Sequence, residues 1–151
     1  MRMPLGDIAD FINGYSFKQT DWNNDGLPII RIQNLTDESK PFNRTILNID
    51  KKYIVERGDI LVSWSATLGV FEWSRDKALL NQHIFKVIPN SQIIDKKYLF
   101  YSLQNALSEM NKHLHGATMR HINRKEFVNT KINVPPLYEQ RRIAKILDNI
   151  H

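Results

Sequence analysis

The sequence contains no cysteine, which excludes disulfide bonds and thiolate metal sites. Long apolar runs are also missing, because no stretch approaches the roughly 20 residues that a helix needs to cross a membrane. The N-terminal residues MRMPLGDIADF lack the apolar core of a signal peptide and carry two early aspartates. These absences predict a soluble, cytoplasmic protein, and 151 residues suffice for one domain with a sizeable core.

Common catalytic motifs are missing as well. The chain has no G-x-x-x-x-G-K-[ST] phosphate loop, no G-x-G-x-x-G turn and no G-x-S-x-G nucleophile elbow. The segment Asn133–Leu137 resembles the Asn-Pro-Pro-aromatic motif of adenine methyltransferases, but an inserted valine and the lack of a glycine-rich cofactor loop argue against that activity. The Asp-Lys-Lys sequences at Asp50 and Asp95 match half of a nuclease motif, and for Asp95 a helix cap is the better explanation.

Three histidines raise the alternative of a metal-dependent nuclease. His113, His115 and His121 surround Gly116, and such a group can ligate zinc or iron. The segment contains no carboxylate, and no fourth ligand is evident elsewhere in the chain. Histidines beside Arg120 are equally suited to bond phosphates or base edges, so we expect no metal site and no catalytic residue.

The net charge of +5 is unevenly distributed along the chain. Residues 1–95 contain 11 Lys/Arg and 12 Asp/Glu, a net charge of −1, whereas residues 96–151 contain 10 and 4, a net charge of +6. This asymmetry predicts one basic face, which suits a polyanion such as nucleic acid. A solvated helical surface rich in lysine is an equally good explanation.

The hydrophobic pattern predicts strands mostly in the first half and helices mostly in the second. Residues 27–36 predict a strand after a turn at Asp25-Gly26, residues 57–73 predict two short strands, and residues 81–87 predict another. Helices are predicted after Asp95, after Asn123 and from Leu137 onward. This order favours an α+β fold over a regular alternation of strands and helices.

One stretch with binding character follows a predicted buried strand, in GDILVSWSATLG. Small hydroxyls and a glycine allow a backbone to approach a ligand closely, serine and threonine bond phosphates or base edges, and tryptophan stacks. The alternative is a tight hairpin whose hydroxyls bond its own backbone. The candidate DNA-binding residues here are Ser63, Trp64, Ser65 and Thr67.

A second stretch, GATMRHINRKEF, places a small-residue turn before a predicted helix. Free backbone amides and the helix dipole make such a helix start suitable for an anion, and three cations within six residues add to it. The alternative is a solvated loop that ends in a capping asparagine. The candidate DNA-binding residues here are Thr118, Arg120, His121, Asn123, Arg124 and Lys125.

A third set of candidates lies in the predicted strand IRIQN. Arg31 and Gln33 would share one face by two-residue alternation, followed by Asn34. Arginine reads guanine in a major groove, and glutamine or asparagine reads adenine. A polar solvent face of a half-buried strand is about as good an explanation, and Lys18 is a further candidate for groove contact.

The C-terminal segment predicts an amphipathic helix that starts after Pro135 and Pro136. An isolated helix of about 12–15 residues is marginal in water, so its apolar stripe either packs back on the domain or meets another helix. The stripe, a candidate partner or dimer surface, consists of Leu137, Ile143, Ile146, Leu147 and Ile150.

Taken in order, several segments resemble one target-recognition half of the specificity subunit of Type I restriction–modification enzymes. They are LGDIADFINGYSF, GLPIIRIQNLT, GDILVSWSATLG, LLNQHIFKVIP, YLFYSLQ, GATMRHINRKEF and INVPPLYEQRRIAKILDNI. Together they cover essentially the whole chain. The passage from PPL-x-EQ-x-x-I into an apolar helix is the most specific of them.

The resemblance implies an α+β target-recognition domain over residues 1–136, with a twisted, mostly antiparallel sheet, helices and recognition loops. Residues 137–151 would begin a long spacer helix that sets the distance between two half-sites. The family's spacer runs several turns beyond the position of His151, and a full subunit carries two recognition domains. The chain would then be a half-subunit that pairs with a copy of itself, or a shortened piece.

The resemblance also implies that the chain catalyses nothing and binds no cofactor. Partner modification subunits methylate adenine with S-adenosylmethionine, and restriction subunits cleave unmodified DNA, so ATP and magnesium are expected only in the partners. The primary hypothesis is a sequence-specific reader of double-stranded DNA. The alternative is an interaction module that assembles with modification subunits through its C-terminal helix without tight DNA binding.

Overall fold

The computed structural model describes residues 1–64, 68–113 and 124–150, and its fold is α+β, as predicted. The strands are β1 (Arg2–Pro4), β2 (Ala9–Asn13), β3 (Leu27–Ile30), β4 (Asn43–Thr45), β5 (Ile54–Val55), β6 (Ile60–Ser63), β7 (Gly69–Glu72), β8 (Ala78–Leu80), β9 (Ile84–Pro89) and β10 (Lys131–Asn133). The helices are α1 (Leu5–Ile8), α2 (Ile32–Thr36), α3 (Lys96–His113), α4 (Arg124–Val128) and α5 (Leu137–Ile150), with 3-10 helices at Gln19–Asp21 and Lys51–Tyr53. None of the described helices is long and apolar enough to cross a membrane.

The first four-stranded sheet is antiparallel and has the strand order β2-β9-β6-β7. The predicted hairpin is its β6–β7 pair, in which Ser63 lies opposite Gly69. Every residue of β6 is buried, since successive side chains point to opposite faces and both faces are covered. Ile60 and Val62 join the larger apolar core, whereas Leu61 joins a smaller one. This strand therefore connects the two cores.

The second four-stranded sheet has the order β4-β3-β8-β5, and its β3 and β8 are parallel while the other pairs are antiparallel. Ile30, Val55, Ala78 and Leu80 of this sheet lie in the smaller core, together with Leu61 of β6. Gly26, just before β3, has a φ of +95°, which confirms the predicted turn. Glycine adopts this left-handed conformation without strain. The mostly antiparallel character expected of the fold is thus confirmed.

The strand predicted over residues 27–36 exists only in its first half, because β3 is followed by the helix α2. The backbone N–H of Arg31 donates to Oδ1 of Asn34 (3.0 Å), and the amide of Asn34 donates to the carbonyl of Pro41 (3.3 Å). This local cap stabilises a helical turn, which overrides the β-branched pattern. The predicted strand face shared by Arg31 and Gln33 is therefore wrong.

The long helix α3 confirms the helix predicted after Asp95. Oδ2 of Asp95 accepts the backbone N–H of Tyr98 (3.0 Å), so Asp95 caps the first turn as expected. Leu99 and Leu103 are fully buried in the larger core. The hydroxyl of Tyr98 donates to the carbonyl of Asn133 in β10 (2.8 Å), and burial raises the pKa of Tyr98. These contacts fix α3 to the small antiparallel sheet of β1 and β10.

The C-terminal helix α5 packs back on the domain, which is one of the two outcomes that its stripe allowed. Its fully covered positions are Gln140 and Ala144, which the stripe does not include. Of the stripe residues, Leu137, Ile143 and Leu147 are half-buried. Ile146 and Ile150 remain 51% and 70% exposed, so part of the stripe is open to solvent.

Candidate nucleic-acid interface

Loops from both large sheets emerge at one edge of the molecule. Ser63 lies opposite both Gly69 and Ile84, so the end of β6 meets the starts of β7 and β9. The parallel strands β3 and β8 end side by side, and Tyr15, which follows β2, bridges to Asn81, which follows β8. We call this the loop edge; its described residues are 14–18, 31, 52–53, 64, 68, 81–83 and 124–125.

Trp64 is the first residue after β6 and lies on the loop edge. Its ring stacks on Phe85, with centroids 5.4 Å apart and planes inclined by 20°. The ring of His83 lies 5.3 Å away on the adjoining turn. Trp64 is half-buried, whereas Ser63 before it is completely buried. Trp64 is thus partly accessible at the surface, whereas the Ser63 hydroxyl lies inside.

Arg124 brings the second predicted stretch to the same place. It is the first residue of α4, and its guanidinium carbon lies 5.2 Å from the ring centroid of Phe85. Phe127, one turn later, is fully buried and stacks on Phe85 at 5.7 Å. Arg124 and Lys125 are both exposed. Two stretches about 60 residues apart in the sequence therefore meet around Phe85, which the sequence alone did not indicate.

The remaining candidates of these two stretches fall in segments that the structure does not describe. They are Ser65, Thr67, Thr118, Arg120, His121 and Asn123. Gly116 and His115 also lie outside the described residues. The described residues that flank these segments, Trp64 and Arg124, both lie against Phe85.

The third set of candidates is divided by the structure. Asn34 is 3% exposed, and its amide is bonded to backbone groups, so it stabilises α2 from inside. The guanidinium of Arg31 donates to the carbonyl of Pro41 (2.7 Å), which ties the start of α2 to the loop that follows it. Gln33 is exposed on α2. Asn34 and Arg31 are engaged with the backbone of their own loop, so of these three residues Gln33 remains accessible at the surface.

An aromatic and basic cluster on the loop edge was not predicted from the sequence. Tyr15 packs against Phe17 (4.7 Å between centroids) and Tyr53 (5.4 Å), and Nζ of Lys52 lies 5.1 Å from the ring of Tyr53. The predicted candidate Lys18 is exposed beside this cluster. In the sequence, the Tyr-x-Phe-Lys segment at residues 15–18 and the Lys-Lys-Tyr segment at residues 51–53 could have indicated this cluster. Only the fold brings the two segments together.

The Asp-Lys-Lys sequence at Asp50 has a structural explanation. Oδ1 of Asp50 accepts the backbone N–H of Lys52 (2.9 Å) and caps the 3-10 helix. Within residues 1–64, 68–113 and 124–150, no group of three or more histidine and carboxylate side chains could hold a metal ion. The alternative of a histidine metal site also requires His115 and His121, which lie outside these ranges.

Three basic residues of the second half have different surroundings. Lys96 begins α3 near Gly58, at the opposite end of β6 from Trp64, because its Nζ lies 3.5 Å from the position of a Cβ on Gly58. Lys97 is engaged by Asp148 of α5 (2.8 Å). Arg124 belongs to the loop edge instead. Lys96 and Arg124 therefore lie near opposite ends of β6, and the expectation of one basic face for residues 96–151 stays a prediction.

Shifted pKa values occur at helix ends and helix contacts. The hydroxyl and backbone N–H of Ser39 donate to Asp37 and lower its pKa. The hydrogen bond to Asp148 raises the pKa of Lys97, and a hydrogen bond to the same carboxylate raises the pKa of Tyr101. These groups stabilise the turn after α2 and the contact of α3 with α5.

The chain is similar to specificity proteins from several microbes. It is 30% identical over 154 residues to the Type I restriction enzyme EcoBI specificity subunit of Escherichia coli, covering 99% of this chain and 32% of that protein. It is 36% identical over 100 residues to the MjaVIII specificity subunit of Methanocaldococcus jannaschii, covering 66% of this chain and 24% of that protein. The matched regions thus span 32% and 24% of the length of these two relatives.

The fold is similar to that of a solved protein of the same kind. The crystal structure of the HsdS subunit from Thermoanaerobacter tengcongensis matches with a TM-score of 0.74 and 25% identity, covering 99% of this chain and 37% of that one. The family model of the Type I restriction modification DNA specificity domain matches residues 1–151. The chain therefore belongs to the family of Type I restriction modification DNA specificity domains.

Proposed function

We propose that this chain reads a short sequence in double-stranded DNA, as one recognition domain of a Type I specificity subunit. The observation that carries the proposal is the meeting of Trp64 and Arg124 on the ring of Phe85 at the loop edge. A stacked indole beside a guanidinium gives a groove-facing group next to a phosphate-binding cation. Membership of the specificity-domain family supports the same function.

The described residues divide into two roles. Arg124 and Lys125 at the start of α4 are exposed cations and bind phosphates, with Lys18 and Lys52 on the other side of the loop edge. Trp64 contacts the groove, and Gln33 is a second candidate on α2. Buried Ser63 and Asn34 are left out of the interface, and Arg31 holds its loop. Six candidates stay unchanged as proposals: Ser65, Thr67, Thr118, Arg120, His121 and Asn123.

The chemistry at the bound site belongs to partner subunits in this proposal. Modification subunits methylate adenine with S-adenosylmethionine, and restriction subunits cleave unmodified DNA with ATP and magnesium. The chain supplies the sequence preference in the cytoplasm and no catalytic group. The family membership supports this division, because the related proteins are named as specificity subunits of restriction enzymes.

The helix α5 forms the second attachment surface in the proposal. Residues 1–136 form the recognition domain, and residues 137–151 begin the spacer helix. Ile146 and Ile150 are one turn apart and largely exposed, with Ile143 half-buried beside them. Such a ridge suits another helix of a partner subunit or of a second copy of this chain.

Selection from a random duplex library tests the proposed function. The chain is used alone and with its modification subunits, at two salt concentrations. We expect a short enriched motif, because direct base contacts add to the salt-dependent binding of phosphates. Two copies of the motif at a fixed spacing would support pairing through α5.

Retention of DNA only at low salt, without any enriched motif, would contradict the proposal. Binding of modification subunits without DNA binding would favour the interaction module instead. A scrambled duplex of equal length and charge is the control, since it measures the electrostatic part of binding alone.

A further inference from the structure

The turn between β8 and β9 occupies the junction of the two large sheets. β8 belongs to the second sheet and β9 to the first, and Asn81–His83 connect them at the loop edge. The sequence pattern predicts a strand from residue 81, but β9 begins at Ile84. Gln82 and His83 are exposed on this turn, while Ile84 after them is fully buried. The two polar side chains therefore project from a point next to Trp64.

Backbone contacts from two neighbouring segments hold this turn in place. The N–H of Gln82 donates to the carbonyl of Tyr15 (2.9 Å), and the N–H of Trp64 donates to the carbonyl of His83 (3.3 Å). A Cβ on Gly14 would lie 1.7 Å from the carbonyl oxygen of Asn81, so the chain before Tyr15 packs directly on the turn. A turn fixed on both sides presents its side chains without first having to be ordered.

His83 has an unusual backbone conformation. Its φ is +72°, and it is the one described non-glycine residue with a positive φ. Glycine occupies this region without strain, whereas other residues are strained there, and such residues cluster at binding sites. The strained backbone keeps an exposed imidazole 5.3 Å from the indole of Trp64.

The chemistry of the two side chains suits base edges. Glutamine bonds adenine through its amide, and an imidazole N–H donates to the N7 or O6 acceptors of guanine. Glutamine carries no charge, so a phosphate contact would gain little from it. Among the described residues, neither side chain is engaged in a hydrogen bond that would hold it against the protein.

We propose that Gln82 and His83 are specificity-determining residues, which contact base edges in the groove that Trp64 enters. This inference rests on the proposed function and names the part of the loop edge that reads sequence. Arg124 and the lysines then fix the duplex, and the turn supplies the preference for particular bases.

The test compares Gln82→Ala and His83→Gly with a matched control in the full chain bound to its modification subunits. Glycine removes the imidazole and keeps the backbone relaxed at a φ of +72°, so the turn is preserved. The control is Gln92→Ala, an exposed glutamine beyond the other end of β9. Affinity is measured for a duplex that carries the motif selected by the protein without substitutions, and for a scrambled duplex at the same salt concentration.

We expect each variant to lower the ratio of specific to scrambled affinity by roughly 10-fold, which is the usual effect of losing a good base contact. Affinity for the scrambled duplex should stay unchanged, and a repeated selection should show relaxed preference at one or two adjacent positions. The Gln92→Ala variant should retain the original ratio and motif.

Two results would overturn the inference alone. One is an unchanged ratio and motif in both variants, and the other is an equal loss of affinity for both duplexes. If the protein without substitutions selects no motif at all, the proposed function fails and this inference fails with it. The two failures are therefore distinguishable within the same experiment.

Discussion

At the scale of single residues, Phe85 organises the candidate interface without being exposed itself. Its ring is fully buried, yet Trp64 stacks on it and Arg124 covers it. A cation held over a ring has fewer conformations to lose when it binds a phosphate. The contact therefore prepares Arg124 for binding, and it explains why a single helix-start arginine is a good target for mutation.

The substitution Arg124→Ala should weaken binding to specific and scrambled duplexes by a similar factor. A phosphate contact carries no sequence information, and its loss should reduce the slope of log affinity against log salt by about 1. Fluorescence anisotropy over a salt series measures both quantities.

Arg142→Ala is the matched control for this prediction. Arg142 lies on α5, its side chain is 70% exposed, and its ion pair with Glu139 is long at 3.8 Å. The control should bind DNA with the same slope of log affinity against log salt concentration as the protein without substitutions. A change in motif preference without a change in slope for Arg124→Ala would show that Arg124 reads bases instead.

At the scale of elements, one carboxylate of α5 is bonded to two side chains of α3. Asp148 accepts a hydrogen bond from Nζ of Lys97 (2.8 Å) and another from the hydroxyl of Tyr101. Both donors are on α3 and must be protonated to donate. The hydrogen bonds to Asp148 accordingly raise the pKa values of Lys97 and Tyr101 above their ordinary values of 10.5 and 10.0.

The sign of these shifts predicts a loss of stability in alkali. A group with a raised pKa in the folded state stabilises the fold below its unfolded pKa, and this contribution disappears as pH rises through the folded pKa. The free energy of unfolding should therefore fall as pH rises above about 10. Urea unfolding followed by circular dichroism between pH 8 and 11 measures this.

Asp148→Asn provides the comparison, because it removes the carboxylate whose hydrogen bonds and charge raise both pKa values. The variant should be less stable than the original protein near pH 8, and the difference should shrink above pH 10. A difference that stays constant across this range would mean that Lys97 and Tyr101 gain nothing from Asp148.

At the scale of the whole molecule, α5 is part of the same folded unit as the sheets. Gln140 is completely buried, and its side chain accepts the N–H of Asp95 (2.7 Å) and donates to the carbonyls of Ile93 (2.9 Å) and Pro135 (2.7 Å). These groups belong to the start of α3, the loop before it and the segment before α5. One side chain therefore locks three parts of the chain together.

Gln140→Ala should destabilise the whole molecule by about 3 kcal/mol, because it leaves buried backbone groups without partners. We expect one cooperative unfolding transition with a lower urea midpoint. Circular dichroism and tryptophan fluorescence should both report this same transition. Gln104→Ala, an exposed glutamine within α3, should leave the midpoint nearly unchanged. Separate transitions for the two probes would mean that residues 137–151 form an independent unit.

Short-range features were predictable because neighbouring residues produce them. The cap at Asp95, the turn at Gly26 and the β6–β7 hairpin depend on groups a few residues apart. The strand predicted through Arg31 failed because Asn34 bonds to the backbone of Arg31 and to a loop beyond α2. A period-two pattern does not contain that information.

The amino-acid sequence by itself determined the α+β class, the family resemblance, most helices and the two stretches that carry Trp64 and Arg124. Only the tertiary structure decided that these stretches meet on Phe85, that Asn34 and Ser63 are buried, and that Gln82 and His83 stand on a fixed turn beside them. The physical reason is distance along the chain. Periodicity and capping act over a few residues, whereas the loop edge is created by register between strands far apart in the sequence.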